Sequence, residues 1–355
     1  MKRKRKAAAA IQPKPQYEAG VDLFRILGLL FVNGLHACLY NGFYSVPQVG
    51  AEVWLANTFR WLFYGCNAMF MLLTGYLKST KPWNRRYYKG LVTVLVGYVL
   101  TCIISYPVRY FLIGEKDGLS VWLERFFTFS NYAWYVEMYI GLILFSPIIN
   151  LALQQITDRR KLLLLAGSCL FVTSMHSVTA VDLIPNYWSA MYPVTLYILG
   201  AVIRKLQPKF PAWSCLLTAA LTAMGLGLTS LLTTDQGFSK GFNQGYGGFW
   251  VTIMVAALFM GIYRLQVSDR VSKVLRWLSG GVFEGYILSR LFDVWVYGLV
   301  PQWHTPKKYP LIFACITIPV FIISILAGKW VHNTSVAIVE QINYRKTVAS
   351  DKSRL

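Results

Sequence analysis

Apolar residues in this chain come in runs of roughly 20, repeated between residues 21 and 330 and separated by short polar, mostly basic segments. A run of that length spans the hydrocarbon core of a bilayer as a helix. Ten such runs are read, at about 21–41, 54–77, 88–108, 132–153, 162–179, 187–203, 213–232, 248–266, 277–299 and 310–330. The segment 121–130, VWLERFFTFS, is too short to cross and reads as an interfacial helix. The expected fold is an all-α, polytopic transmembrane helix bundle of about ten spans. A basic N-terminal tail (1–20) precedes the bundle (21–332), and a C-terminal tail (333–355) follows it. The inverted repeats and broken helices common in transporters are not evident in the pattern.

Composition agrees with this reading. The chain is 55% hydrophobic and only 14% charged, against about a quarter charged in soluble domains. Its formal net charge of +20 would suggest nucleic acid if it were spread over one face. Instead it is sorted. Of 35 Lys and Arg, 26 lie in the two tails and in alternate connecting segments, six lie in the other connections, and Arg25, Arg60 and Arg290 lie in spans. Such sorting orients a membrane protein, so both termini are expected in the cytoplasm and no nucleic-acid partner is expected. The head MKRKRKAAAAIQPKP resembles the start of a signal peptide. The following run keeps Arg25 and His36 and has no clear small-residue cleavage site, so it reads as a retained first span. Anionic lipid is a further contact for this head.

The six cysteines all fall in apolar runs without a CxxC pair, and the four histidines are far apart, so no metal site is expected. The glycine-rich segment TTDQGFSKGFNQGYGG lacks the Lys-Ser/Thr ending of a phosphate loop and reads as a flexible outer loop.

The first span, DLFRILGLLFVNGLHACLY, carries the chemistry that an apolar helix does not need. Eleven residue steps separate Arg25 from His36, about 1100° of rotation, which returns both to one face about 16 Å apart. Asp22 and Asn33 fall near the same face, and such a polar stripe must meet protein or water. Two readings follow from the residues. Arg25 snorkels or pairs with Asp22 while Asn33 and His36 join helices, or the stripe is a site in which neutral His36 serves as a base.

DLFRILGLLFVNGLHA also resembles the opening motif of the family 3 membrane acyltransferases, a basic residue followed after ten positions by His. FMLLTGYL (70–77), NRRYYKG (84–90), AWYVEMYIGLILFSP (133–147) and GVFEGYILSRLFD (281–293) resemble later family motifs in the same order. Thr74 stands for the usual Ser, and Ser289 stands where many members carry His. The resemblance covers residues 20 to about 300. It implies a membrane O-acyltransferase of the bacterial plasma membrane that moves an acyl group, commonly acetyl, from cytoplasmic acyl-CoA to a hydroxyl of a surface or exported glycan. Acyl-CoA would then be a donor substrate, with no permanently bound cofactor. A homodimer partner or the glycan-export machinery is left open, as are a small-substrate transporter and a non-catalytic partner in glycan assembly.

By this resemblance His36 is the catalytic base. Arg25, Arg85, Arg86 and Lys89 are candidates for the donor's phosphates, which guanidinium groups bind bidentately. The alternative for the loop residues is topological charge. Asn33, Trp134, Tyr135, Glu137 and Tyr139 are candidates for substrate binding, with Glu137 also a candidate to orient His36. The aromatic ones otherwise read as an interfacial belt. Tyr286, Arg290 and Asp293 share one helix face, and Arg290 and Asp293 are expected to pair with each other. Glu284 has no evident partner, and no role is assigned to His176, His304 or His332.

Overall fold

The computed structural model describes residues 17–84, 87–116, 118–127, 130–177, 183–234, 237–243, 245–299 and 308–352. Among them there is no strand. In order, the helices are α1 (Ala19–Tyr40), α2 (Glu52–Tyr64), α3 (Cys66–Lys78), α4 (Lys89–Val108), α5 (Leu119–Phe127), α6 (Ser130–Gln155) and α7 (Arg159–Ser174). They continue with α8 (Tyr192–Leu206), α9 (Ala212–Leu232), α10 (Phe249–Ile262), α11 (Asp269–Ser279), α12 (Val282–Leu299), α13 (Tyr309–Ile312) and α14 (Ile318–Lys352). π-helical turns extend α4 through Arg109–Ile113 and join α13 to α14 through Phe313–Thr317.

Among the described residues, five segments are long and apolar enough to cross a membrane: α1, α4 with its π turn, α6 from Ala133, α9, and the stretch Tyr309–Ile342. α10 is equally apolar but has 14 residues. The outward faces of these helices carry large apolar side chains such as Leu144, Phe145, Leu221 and Ile322, as lipid-facing surfaces do.

Three sequence expectations change in detail. The run 54–77 forms two helices rather than one, meeting at Gly65, whose N–H donates to Leu62 O at 3.2 Å. A Cβ there would lie 2.8 Å from Val255 of α10, so the break coincides with a close helix approach. The run 277–299 is divided at Gly280–Gly281 into the end of amphipathic α11 and the start of α12. The last helix passes residue 332 without interruption and reaches Lys352.

Small residues set the helix order around α1. α3 packs most extensively on α8, and a Cβ on Gly75 or Gly200 would collide with the other helix's backbone. α12 and α14 close on each other the same way through Gly281 and Gly328. Without a water-driven hydrophobic effect inside lipid, such close backbone contact is a main source of cohesion.

Helix directions follow from paired residues. α1 and α12 run parallel in fixed register, because Gly285 backs onto Leu29 and Asp293 meets His36. α3 and α10 run opposite to α1, since Tyr76 reaches Glu18 at 3.2 Å and Phe24 packs on Phe259 at 4.9 Å. α14 opposes α12, with Lys329 beside Gly281 and Ser324 beside Gly285. The start of α1 therefore lies at the same end of the bundle as the C-terminal half of α14. The basic head (1–16) and residues 353–355 lie outside the described residues.

Candidate active site

Of the polar stripe of α1, Arg25 lines a cavity and His36 meets α12. Asp22 and Asn33 are buried, and Arg25 Nη1 lies 3.5 Å from Asp22 Oδ1 with its side chain 30% exposed. One turn from the end of α1, His36 Nδ1 donates to Asp293 Oδ2 of α12. The acceptor is a carboxylate, so Nδ1 carries the hydrogen and Nε2 holds the lone pair. Asp293 is fully buried, whereas the His36 side chain is 20% exposed and lies edge-on to Tyr40, 5.8 Å between ring centroids. A buried acid behind and a partly open imidazole in front are the arrangement that orients a catalytic histidine.

This adds a partner to the pairing expected on α12. Asp293 also reaches across to α1 and meets His36, beside the charge of Arg290 on its own helix. Glu137, the other acid considered for His36, is exposed on α6. Ser289 is buried and its hydroxyl donates to its own helix at Tyr286 O, 2.7 Å away. The Ser289 hydroxyl is thus occupied with backbone, and the acid one turn further on, Asp293, supplies the partner of His36.

A cavity of about 580 Å³ opens between α1, α3, α4, α6, α12 and α14. Lys78 and Lys81 line its end at the C-terminus of α3, Arg25 lines its α1 side, and Tyr135, Tyr139 and Tyr286 form aromatic wall. In the α1/α12 register, Arg25 lies level with Gly281, and Tyr286 lies about 10 Å short of Asp293 along α12. The order from one end of the bundle inward is therefore lysines, arginine, tyrosines and then the His36–Asp293 pair. Between the tyrosines and His36, Asn33 is wholly buried, and neither amide atom has a hydrogen-bond partner among the described residues. A buried amide without partners is costly and uncommon.

Of the candidate residues, Arg25, Tyr135 and Tyr139 come together on the cavity, while Asn33 and His36 continue the same line along α1. Trp134 is 39% exposed and packs on Tyr246 at 5.3 Å, away from the cavity. Lys89 is exposed at the start of α4 and does not line it. Arg85 and Arg86 lie outside the described residues. Lys78 and Lys81 are new. In the sequence they counted only as cytoplasmic charge, because a lysine at a helix end serves orientation and anion binding equally well. Thr74 also lines the cavity, with its hydroxyl donating to Phe70 O at 2.7 Å. No group of three or more His, Cys, Asp or Glu among the described residues is arranged to hold a metal.

A family model described as an acyltransferase domain, acyltransferase family 3, matches residues 18–329, the segment that contains all of these side chains. Neither the curated proteins nor the solved structures give a match.

Proposed function

Since the chain belongs to acyltransferase family 3 and is a membrane acyltransferase, we propose that it carries an acyl group, acetyl in the first instance, from cytoplasmic acyl-CoA to a hydroxyl of a surface or exported glycan. The observation that carries this reading is the bond from His36 Nδ1 to buried Asp293, which leaves Nε2 as the base.

The steps balance without an outside acid or base. Nε2 of His36 takes the acceptor's hydroxyl proton as the oxygen attacks the thioester carbonyl. The tetrahedral intermediate collapses, the carbon–sulfur bond breaks, and the imidazolium returns the proton to the thiolate. Asp293 holds the ring and stabilises its transient charge. Positioned proton transfer of this kind contributes about 10²–10⁴-fold. The Asn33 amide, one turn below His36 and without a partner, donates to the carbonyl oxygen as negative charge develops there. Lys78, Lys81 and Arg25 attract the donor's phosphates, and the tyrosine-lined part of the cavity takes its arm.

The matching topology has ten crossings, with α2 and α3 together forming the second, and both termini in the cytoplasm of a bacterial cell. The sorting of 26 basic residues against six supports this orientation. The parallel courses of α1 and α12, the first and ninth crossings, fit the count of crossings.

The test is mass analysis of surface glycans from cells with and without the protein. An ester-linked acyl group that disappears with the protein supports the reading. Identical glycans from both strains would remove the acceptor class from it.

A further inference from the structure

Resting on the donor reading above, we infer that Glu284 is a recognition residue for the donor, accepting a hydrogen bond from an amide N–H of the pantetheine arm. Glu284 lies near the start of α12 and is 2% exposed, yet it forms part of the cavity wall. One carboxylate oxygen is taken: His332 Nδ1 of α14 donates to Oε1 at 3.0 Å. The other, Oε2, is buried with no hydrogen-bond partner among the described residues. A carboxylate oxygen so far from water is costly unless something donates to it.

The surroundings make this a built position. Gly97 of α4 gives the carboxylate room, since a Cβ there would lie 2.9 Å from Oε1. His332 also lines the cavity and fixes the carboxylate from the other side. In the α1/α12 register Glu284 sits level with Gly28, inward of Arg25 and about 13 Å short of Asp293 along α12. With phosphates at Lys78, Lys81 and Arg25 and the thioester near His36, the part of the donor that passes this level is the arm between them. Its hydrogen-bond donors toward a carboxylate include amide N–H groups. An acidic side chain at the phosphates would repel the donor, whereas at the amides it selects it.

The experiment measures binding of acetyl-CoA and of two analogues, each with one pantetheine amide replaced by an ester, to the purified full-length protein. For the wild type, one analogue is expected to bind about 10- to 100-fold more weakly, the range for a hydrogen bond to a charged group. In Glu284→Leu that discrimination should vanish, with acetyl-CoA falling to the level of the analogue. Gly97→Ala displaces the carboxylate without removing it and should reduce the discrimination in the same direction, which keeps the test decisive if Glu284→Leu fails to fold. Equal binding of all three ligands to the wild type overturns the inference, as does full discrimination retained in either variant. A purely structural Glu284–His332 pair would lower thermal stability and leave the amide-to-ester ratio unchanged. Absence of saturable acetyl-CoA binding to the wild type would instead refute the donor reading itself.

Discussion

Asp293→Asn is the most informative single substitution, because it keeps the shape of the buried side chain and removes only its charge and acceptor symmetry. In the wild type, His36 Nδ1 donates to a fully buried carboxylate. A hydrogen bond to a charged group is worth about 1.5–3 kcal/mol, roughly a 10- to 150-fold effect on a rate that depends on it. Asparagine can also present its amide N–H to Nδ1, which moves the ring hydrogen to Nε2 and removes the base. In serine hydrolase triads that change costs about 10⁴-fold. The expected fall in kcat is therefore about 10²- to 10⁴-fold. KM for acyl-CoA should change by less than about threefold, because Asp293 is not part of the cavity wall and lies about 10 Å beyond Tyr286 along α12. The assay is transfer of labelled acetyl from acetyl-CoA to glycan acceptor by protein reconstituted in liposomes, with donor binding measured separately. A variant that keeps kcat within threefold of wild type would refute the orienting role. An equal loss in kcat and in donor affinity would show that Asp293 supports the fold rather than the base.

Other outcomes follow from the same geometry. Lys78→Gln with Lys81→Gln should weaken acetyl-CoA binding by about tenfold or more and flatten its salt dependence, since two cations at the cavity end are removed; binding isotherms at two ionic strengths check this. Gly75→Val should lower stability by about 3 kcal/mol and reduce the yield of folded protein in detergent, because the added side chain meets the α8 backbone. Lys240→Cys should react with a membrane-impermeant thiol reagent on intact cells, whereas Lys352→Cys should react only after permeabilisation; the reverse pattern would invert the topology.

Much of the site could be read from α1 alone. Helical spacing put Arg25, Asn33 and His36 on one face, and the cost of charge in hydrocarbon required that face to meet protein. The structure buries Asn33, sets Arg25 on the cavity and brings His36 against α12. The acid for His36 could not be read in the same way. Arg290 and Asp293 are three residues apart, a spacing that permits a pair within one helix. Nothing in either helix's own periodicity states that Asp293 also reaches α1, because that depends on how two distant segments pack. Glu137 was a candidate to bind substrate or orient His36 because it is a carboxylate among aromatic residues; α6 leaves it exposed. The break at Gly65 was hidden because hydrophobicity continues through it; only the approach of Val255 explains why glycine is needed. Lys78 and Lys81 were visible, but the positive-inside pattern already accounted for them.

The role of His36 as the base in acyl transfer is tested by the transfer rate per correctly folded molecule of His36→Ala in liposomes. The variant should insert and bind acetyl-CoA with wild-type affinity while transfer falls by at least about 10²-fold. A variant that retains most of its transfer activity would contradict the general-base assignment and favour a non-catalytic role for the polar stripe.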